Sequence, residues 1–154
     1  MEKLLKQDIV RYKNSAGGKM PFFQKALRKF QDSGNFLLRL FWRVIYKFSF
    51  KKNQIEISPF TKIGGGLYLG HPYSITINPR TTIGKNCNIH RGVLIGQENR
   101  GCRKGVPTGG DCVWIGINAA VVGNVNIGDD VLIAPNSYVN CDVPSHSVVF
   151  GNPC

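Results

Sequence analysis

The sequence predicts an all-β body, a coiled parallel β-helix running from about Ile55 to Val149, with a short α-helical segment ahead of it. Two observations carry this expectation. Aliphatic residues return every six positions through Ile57, Ile63, Leu69 and Ile75, then after a two-residue shift through Ile77, Ile83, Ile89 and Ile95, and again through Ile115, Val121, Ile127, Ile133 and Val139. Two positions ahead of most of them stands another inward candidate: Ile55, Thr61, Leu67, Thr81, Cys87, Val93, Val113, Ala119, Val125, Val131 or Ser137. Alternation of this kind is what a short strand requires. A six-residue unit makes one flat side of a coil, three sides make a turn, and stacked turns bury a continuous aliphatic column. An amphipathic helix would need a period of 3.6, which is absent.

The chain has 154 residues, enough for one domain with an appendage. The expected division is a basic helical segment over 1–54 and the β-helix over 55–154, with a loop at 97–108. Five cysteines (Cys87, Cys102, Cys112, Cys141 and Cys154) form no C-x-x-C pair, which fits a reducing cytoplasm better than a disulfide framework or a zinc knuckle. The charged stretch from Met1 to Lys13 lacks the apolar core of a signal peptide. The apolar run from Phe36 to Phe50 is interrupted by Arg39, Arg43 and Lys47, so no membrane span is expected.

The net charge of +11 is not evenly spread. Residues 1–54 hold 13 lysines and arginines against three acids, whereas the β-helix is nearly neutral. The excess would serve solvated helix faces, an anionic membrane surface or an acidic polymer; nucleic acid is not among the expected partners. Helices are expected around Lys3 to Tyr12, from Pro21 to Gln31, and from Phe36 to Phe48 after the Asp32-Ser33-Gly34-Asn35 turn. In the third, Arg39, Arg43 and Lys47 form one basic stripe. Leu37, Leu40, Phe41, Val44, Ile45 and Phe48 form a broad apolar face, expected to pack on the β-helix or on a neighbouring subunit, with a membrane-surface helix as the rival reading.

The repeat breaks twice. Between Ile95 and Ile115 the interval is 20 residues rather than a multiple of six, so a loop should project over Gln97 to Thr108. Loops on a rigid solenoid are favoured places for ligand contacts. The second break is at Gly70-His71-Pro72-Tyr73, ahead of the shift from Ile75 to Ile77. His71 is either a half-exposed corner residue or a general base, since histidine titrates near neutral pH. No pair among His71, His90 and His146 has a metal-ligand spacing, and no metal is expected.

Taken in order, several motifs make residues 55–153 resemble the serine acetyltransferase branch of the hexapeptide-repeat acyltransferases. They are Ile55-Glu56-Ile57-x-Pro59, Gly66-Leu67-x-Leu69-x-His71, Ile83-Gly84-x-Asn86, Ile95-Gly96, Trp114-Ile115-Gly116, and Val143-Pro144 with Gly151-Asn152-Pro153. The resemblance implies a left-handed parallel β-helix, an exception to the right-handed crossover rule, assembled as a homotrimer with acetyl-coenzyme A bound between subunits. It implies that His71 takes the proton from an acceptor hydroxyl as that hydroxyl attacks the thioester, with Glu56 in place of the family's aspartate to orient the ring. Gly96, Gly116, Ala119 and Ala134 match coenzyme-contacting positions, although small residues are also what coil corners need. Arg100, Arg103 and Lys104 would reach coenzyme phosphates or simply be solvated. His90 has no matching family role and reads as an exposed or packed strand residue, with acceptor contact as the alternative, and His146 matches a structural turn.

Three departures bear on the acceptor. The family's serine enzymes hold the serine ammonium with an aspartate where this chain has Gly70, and its carboxylate with an arginine and a histidine where it has Gly105 and Val106. Each lost charge-assisted contact is worth roughly 1.5 to 3 kcal/mol. Free serine is thus a poor candidate, and the chain resembles more closely the sugar-directed O-acetyltransferases of the branch, which implies O-acetylation of a saccharide hydroxyl in glycan or polysaccharide biosynthesis. A cytoplasmic enzyme is expected, peripheral to the inner membrane face through its basic helices. Serine O-acetylation is the alternative, and a non-catalytic β-helix scaffold or binding module the second alternative.

Overall fold

The computed structural model describes residues 3–15, 18–49 and 53–154; Met1 and Phe50, at the ends of two of the stretches considered above, lie outside them. The six-residue spacing becomes a stack of coils. Strands β1 (Glu56–Ile57), β2 (Lys62–Ile63) and β3 (Tyr68–Gly70) make the first, and β4 (Thr76–Ile77), β5 (Thr82–Ile83) and β6 (Asn88–His90) the second. The third has β7 (Leu94–Gly96), β8 (Thr108–Gly109) and β9 (Trp114–Ile115), and the fourth β10 (Ala120–Val122), β11 (Asn126–Ile127) and β12 (Leu132–Ile133). The fifth contains β13 (Tyr138–Val139) and β14 (Val148–Val149).

All pairings between strands are parallel and give three faces: β1-β4-β7-β10-β13, β2-β5-β8-β11 and β3-β6-β9-β12-β14. Register is set by the aliphatic column, as Leu69 pairs with Ile89 and Ile89 with Ile115. Every residue assigned inward from the repeat is buried, including Thr61, Thr81 and Ser137 among the aliphatics. Corners demand left-handed backbone, and Asn86, Asn118, Asp130 and Asn136 supply it with φ of 56°, 58°, 53° and 59°, the residue types that tolerate it best after glycine.

The helices α1 (Leu4–Lys13), α2 (Phe22–Asp32) and α3 (Phe36–Ser49) fall within a residue or so of their expected bounds. Asp32, at the end of α2, accepts from Leu4 N and Leu5 N and so caps α1, while Asn35 Oδ1 accepts from Leu37 N and Leu38 N at the start of α3. Their main role is to close the β-helix. The first coil bonds upward through Glu56 N, Gly64 N and Tyr68 N to the second, which leaves its other edge without a strand. Helix side chains fill that edge: Asp8 accepts from Leu67 N, and Gln24 donates to Leu67 O. Tyr12 Oη accepts from Leu69 N and reaches Leu69 O, Arg28 donates to Ile63 O and Gly64 O, and Tyr46 donates to Ile57 O.

Within this cap Arg28 Nε meets Asp8 Oδ2 at 2.7 Å, both side chains fully buried. Other basic residues also turn inward or along the surface of the cap. Arg39 lies over Phe30, Arg43 over Phe60 and Lys29 over Trp42. The orientation of α3 leaves most of its apolar stripe outside the chain's own core. It packs through Trp42, Ile45 and Tyr46, whereas Leu37, Leu40, Phe41, Val44 and Phe48 are exposed. Tyr46 and the arginine-on-ring contacts outweigh the wider apolar stripe because they satisfy the edge carbonyl and cover the rings at once. Among the described residues no helix is long and apolar enough to cross a membrane.

Removing one member of a buried ion pair strands the other. Asp8→Ala should therefore lower stability by about 3 to 5 kcal/mol, read by urea denaturation, and a loss under about 1 kcal/mol would show that the cap does not depend on this pair.

Candidate active site

The two-residue shift in the repeat is a widened corner between the third face of the first coil and the first face of the second. His71 and Ser74 take left-handed φ of 51° and 52° there. The turn is pinned from below, where Asn53 donates to Pro72 O at 3.1 Å and Ser74 N donates to Asn53 O at 2.9 Å. His71 projects from it as an exposed side chain.

Strand register stacks a row of residues beside it. Gly70 pairs with His90, and continuing the register through β9 and β12 adds Gly116 and Ala134 at successive corners, about 4.8 Å apart per coil. Gly70 is required by its neighbour, because a Cβ at this position would lie 2.4 Å from His90 Nδ1. The His90 ring stacks against Trp114 with centroids 4.7 Å apart, and its Nε2 is buried without a hydrogen-bond partner. Burial, and then the nearby His71, hold the His90 pKa below the ordinary imidazole value. The structure thus puts two imidazoles at one corner. Sequence reasoning favoured a strand residue for His90 over acceptor contact, yet the signal for its place was present: a coil of three hexapeptides plus the two-residue insertion separates Gly70 from His90.

The other expected site residues divide. Glu56 is exposed on β1 and makes no hydrogen bond to His71. It lines a cleft of about 580 Å³ between α3 and the first face, together with Arg43, Lys47, Phe60, Leu94 and Gly96. This cleft has an apolar floor and a rim of two cations and one carboxylate, a combination suited to an elongated ligand with a charged end. Gly116 and Ala134 share the His71 corner. Ala119 is a fully buried core residue in the inward column of the repeat, so a coenzyme contact there would run through its backbone.

The loop carrying Arg100, Arg103 and Lys104 does not face His71 within one chain. It leaves the end of β7, at the far edge of the first face from the His71 corner, so the two breaks in the repeat fall at different corners of the single chain. The loop also folds rather than projects: Glu98 and Gly105 exchange both backbone hydrogen bonds, and Asn124 N donates to Arg103 O. All three cations are exposed. His146 meets Asp130 at 3.0 Å in an exposed turn of the last coil. Among the described residues no group of three or more His, Cys, Asp or Glu side chains is placed to hold a metal ion, and the five cysteines are free.

The contact between Gly70 and His90 gives a direct test. Gly70→Ala should destabilise the β-helix by about 1 to 3 kcal/mol through overpacking, and His90→Ala in the same chain should relieve most of that loss; thermal unfolding of both variants reads the coupling.

No protein-family model matches the chain. It is 39% identical over 98 residues to a serine acetyltransferase of Helicobacter pylori, covering 64% of this chain and 57% of that one. It is 41% identical over 99 residues to a serine acetyltransferase of Staphylococcus aureus, covering 64% and 46%. The match thus spans about half the length of these relatives. The crystal structure of Neisseria gonorrhoeae serine acetyltransferase in complex with serine superposes with a TM-score of 0.73 at 26% identity, over 98% of this chain and 66% of that one.

These likenesses overturn the saccharide acceptor and the link to polysaccharide biosynthesis, and favour serine. Gly70, read above as a lost anchor for the acceptor, lies under the His90 ring of the next coil. The chain is a parallel β-helix protein that is similar, over about two thirds of its length, to serine acetyltransferases.

Proposed function

We propose that this chain is a serine O-acetyltransferase that uses acetyl-coenzyme A as co-substrate. The observation that carries the reading is the exposed His71 at the widened corner of a β-helix that superposes on a serine-bound serine acetyltransferase. His71 accepts the proton of the serine hydroxyl as its oxygen attacks the thioester carbonyl carbon. The tetrahedral intermediate collapses with cleavage of the carbon–sulfur bond, and the imidazolium returns the proton to the departing thiolate. The products are O-acetylserine and coenzyme A. No enzyme nucleophile is needed, because the thioester is already activated.

Gly116 and Ala134 stack on the His71 corner, where small residues leave backbone groups open to the coenzyme. Gly96, with Arg100, Arg103 and Lys104 beyond it, lies at the far edge of the first face, so the proposal places these groups at the His71 corner of a neighbouring subunit in a homotrimer. Glu56 is assigned to orient His71 once the acceptor is bound. Neither a glycan acceptor nor a membrane contact is part of the proposal.

Thiol release from acetyl-coenzyme A with serine is the test. His71→Ala should lower kcat by roughly 10²- to 10⁴-fold with the fold intact by circular dichroism, and near-normal turnover would remove His71 as the base. Glu56→Gln should lower kcat and alter the pH profile if the carboxylate orients the ring; an unchanged profile would leave Glu56 to the cleft alone.

A further inference from the structure

Serine is a zwitterion, so a site that selects it must offer a cation to its carboxylate and a hydrogen-bond acceptor to its ammonium group, both close to the base. In the coil stacked directly on Gly70-His71 stand His90 and Arg91. The corner holds them rigidly: Arg91 N donates to Gly70 O at 3.1 Å and Gly92 N to Tyr73 O at 3.0 Å. Gly70 lacks a side chain where His90 Nδ1 comes over it, and Trp114 braces the other side of the ring. Arg91 is exposed, and among the described residues its guanidinium has no side-chain partner.

We infer that Arg91 and His90 form the acceptor-anchoring subsite, Arg91 taking the carboxylate and His90 the ammonium of a small hydroxy amino acid whose hydroxyl faces His71. The inference rests on the serine reading above and specifies how that acceptor is held. Three features support it. Neighbouring coils are about 4.8 Å apart, so an acceptor whose short carbon backbone joins hydroxyl to carboxylate spans from the His71 corner to the Arg91 corner. A guanidinium binds a carboxylate through two parallel hydrogen bonds, fixing orientation as well as charge. Burial keeps His90 neutral more readily than a free imidazole, and a neutral ring retains a lone pair for an ammonium donor.

The experiment uses the full chain with acetyl-coenzyme A and three acceptors: serine, 2-aminoethanol, which lacks the carboxylate, and 3-hydroxypropionate, which lacks the ammonium. Arg91→Ala should raise the KM for serine and 3-hydroxypropionate by roughly 10- to 100-fold, the size of one lost charge-assisted interaction, while kcat and the KM for 2-aminoethanol stay within about threefold. Arg91→Lys should recover only part of the loss, because lysine keeps the charge without the bidentate fork. His90→Asn should raise the KM for serine and 2-aminoethanol but not for 3-hydroxypropionate. An unchanged serine KM in Arg91→Ala, or an equal rise for all three acceptors, overturns the subsite. A wild-type chain that releases no thiol with serine overturns the acceptor reading itself, before any variant is made, so the two failures are told apart.

Discussion

A β-helix has an open end, and the backbone groups of its first coil must find partners there or stay solvated as a strand edge ready to pair with another chain. In this protein those partners are side chains. Asp8, Tyr12, Gln24, Arg28 and Tyr46 hydrogen-bond to the edge at Leu67, Leu69, Ile63, Gly64 and Ile57, in places a preceding coil would occupy. Arg28 and Asp8 also neutralise one another while fully buried, which makes their burial tolerable. The position of all three helices follows from this closure, and with it the cleft between α3 and the first face. The strongly basic character of residues 1–54 acquires a structural meaning from the same constraint, since several of the cations serve the cap or lie over its aromatic rings.

The second determining feature is the widened corner at His71. A strict hexapeptide repeat leaves little room for chemistry, because each corner residue is stacked between identical neighbours. Two extra residues release one corner, and the pinning of Pro72 and Ser74 by Asn53 keeps it fixed rather than loose. Rigid support of an exposed imidazole is what general-base catalysis needs, since reacting atoms must be held to within a fraction of an ångström. The pairing of Gly70 with His90 then brings a second imidazole to the same place, so the corner is chemically richer than its own short segment suggests.

Much of this was legible in the amino-acid order. Inward positions followed directly from the six-residue spacing, because burial in a solenoid is set by each residue's place in its own repeat and hardly by distant sequence. The helices were legible from Pro21, the Asp32 to Asn35 turn and the apolar periodicity, but the face of α3 that packs was not. Its apolar stripe is wider on the side that stays exposed, and only the partner surface, with an edge carbonyl at Ile57 awaiting a donor, selects Tyr46.

The order of residues by itself determined the repeat, the solenoid core, the two places where the repeat fails and His71 as the base proposed for one of them. Tertiary structure alone decided which residues meet across coils and caps. It filled the space above Gly70 with His90, placed Arg91 beside the same corner, set the loop at a different corner from His71 within one chain, and turned Asp8 and Arg28 into a buried end cap. The physical reason is that a solenoid writes its core locally but its surface non-locally. Inward positions repeat every six residues, whereas outward neighbours are one full coil apart, and a two-residue insertion is enough to change which side chains stand together.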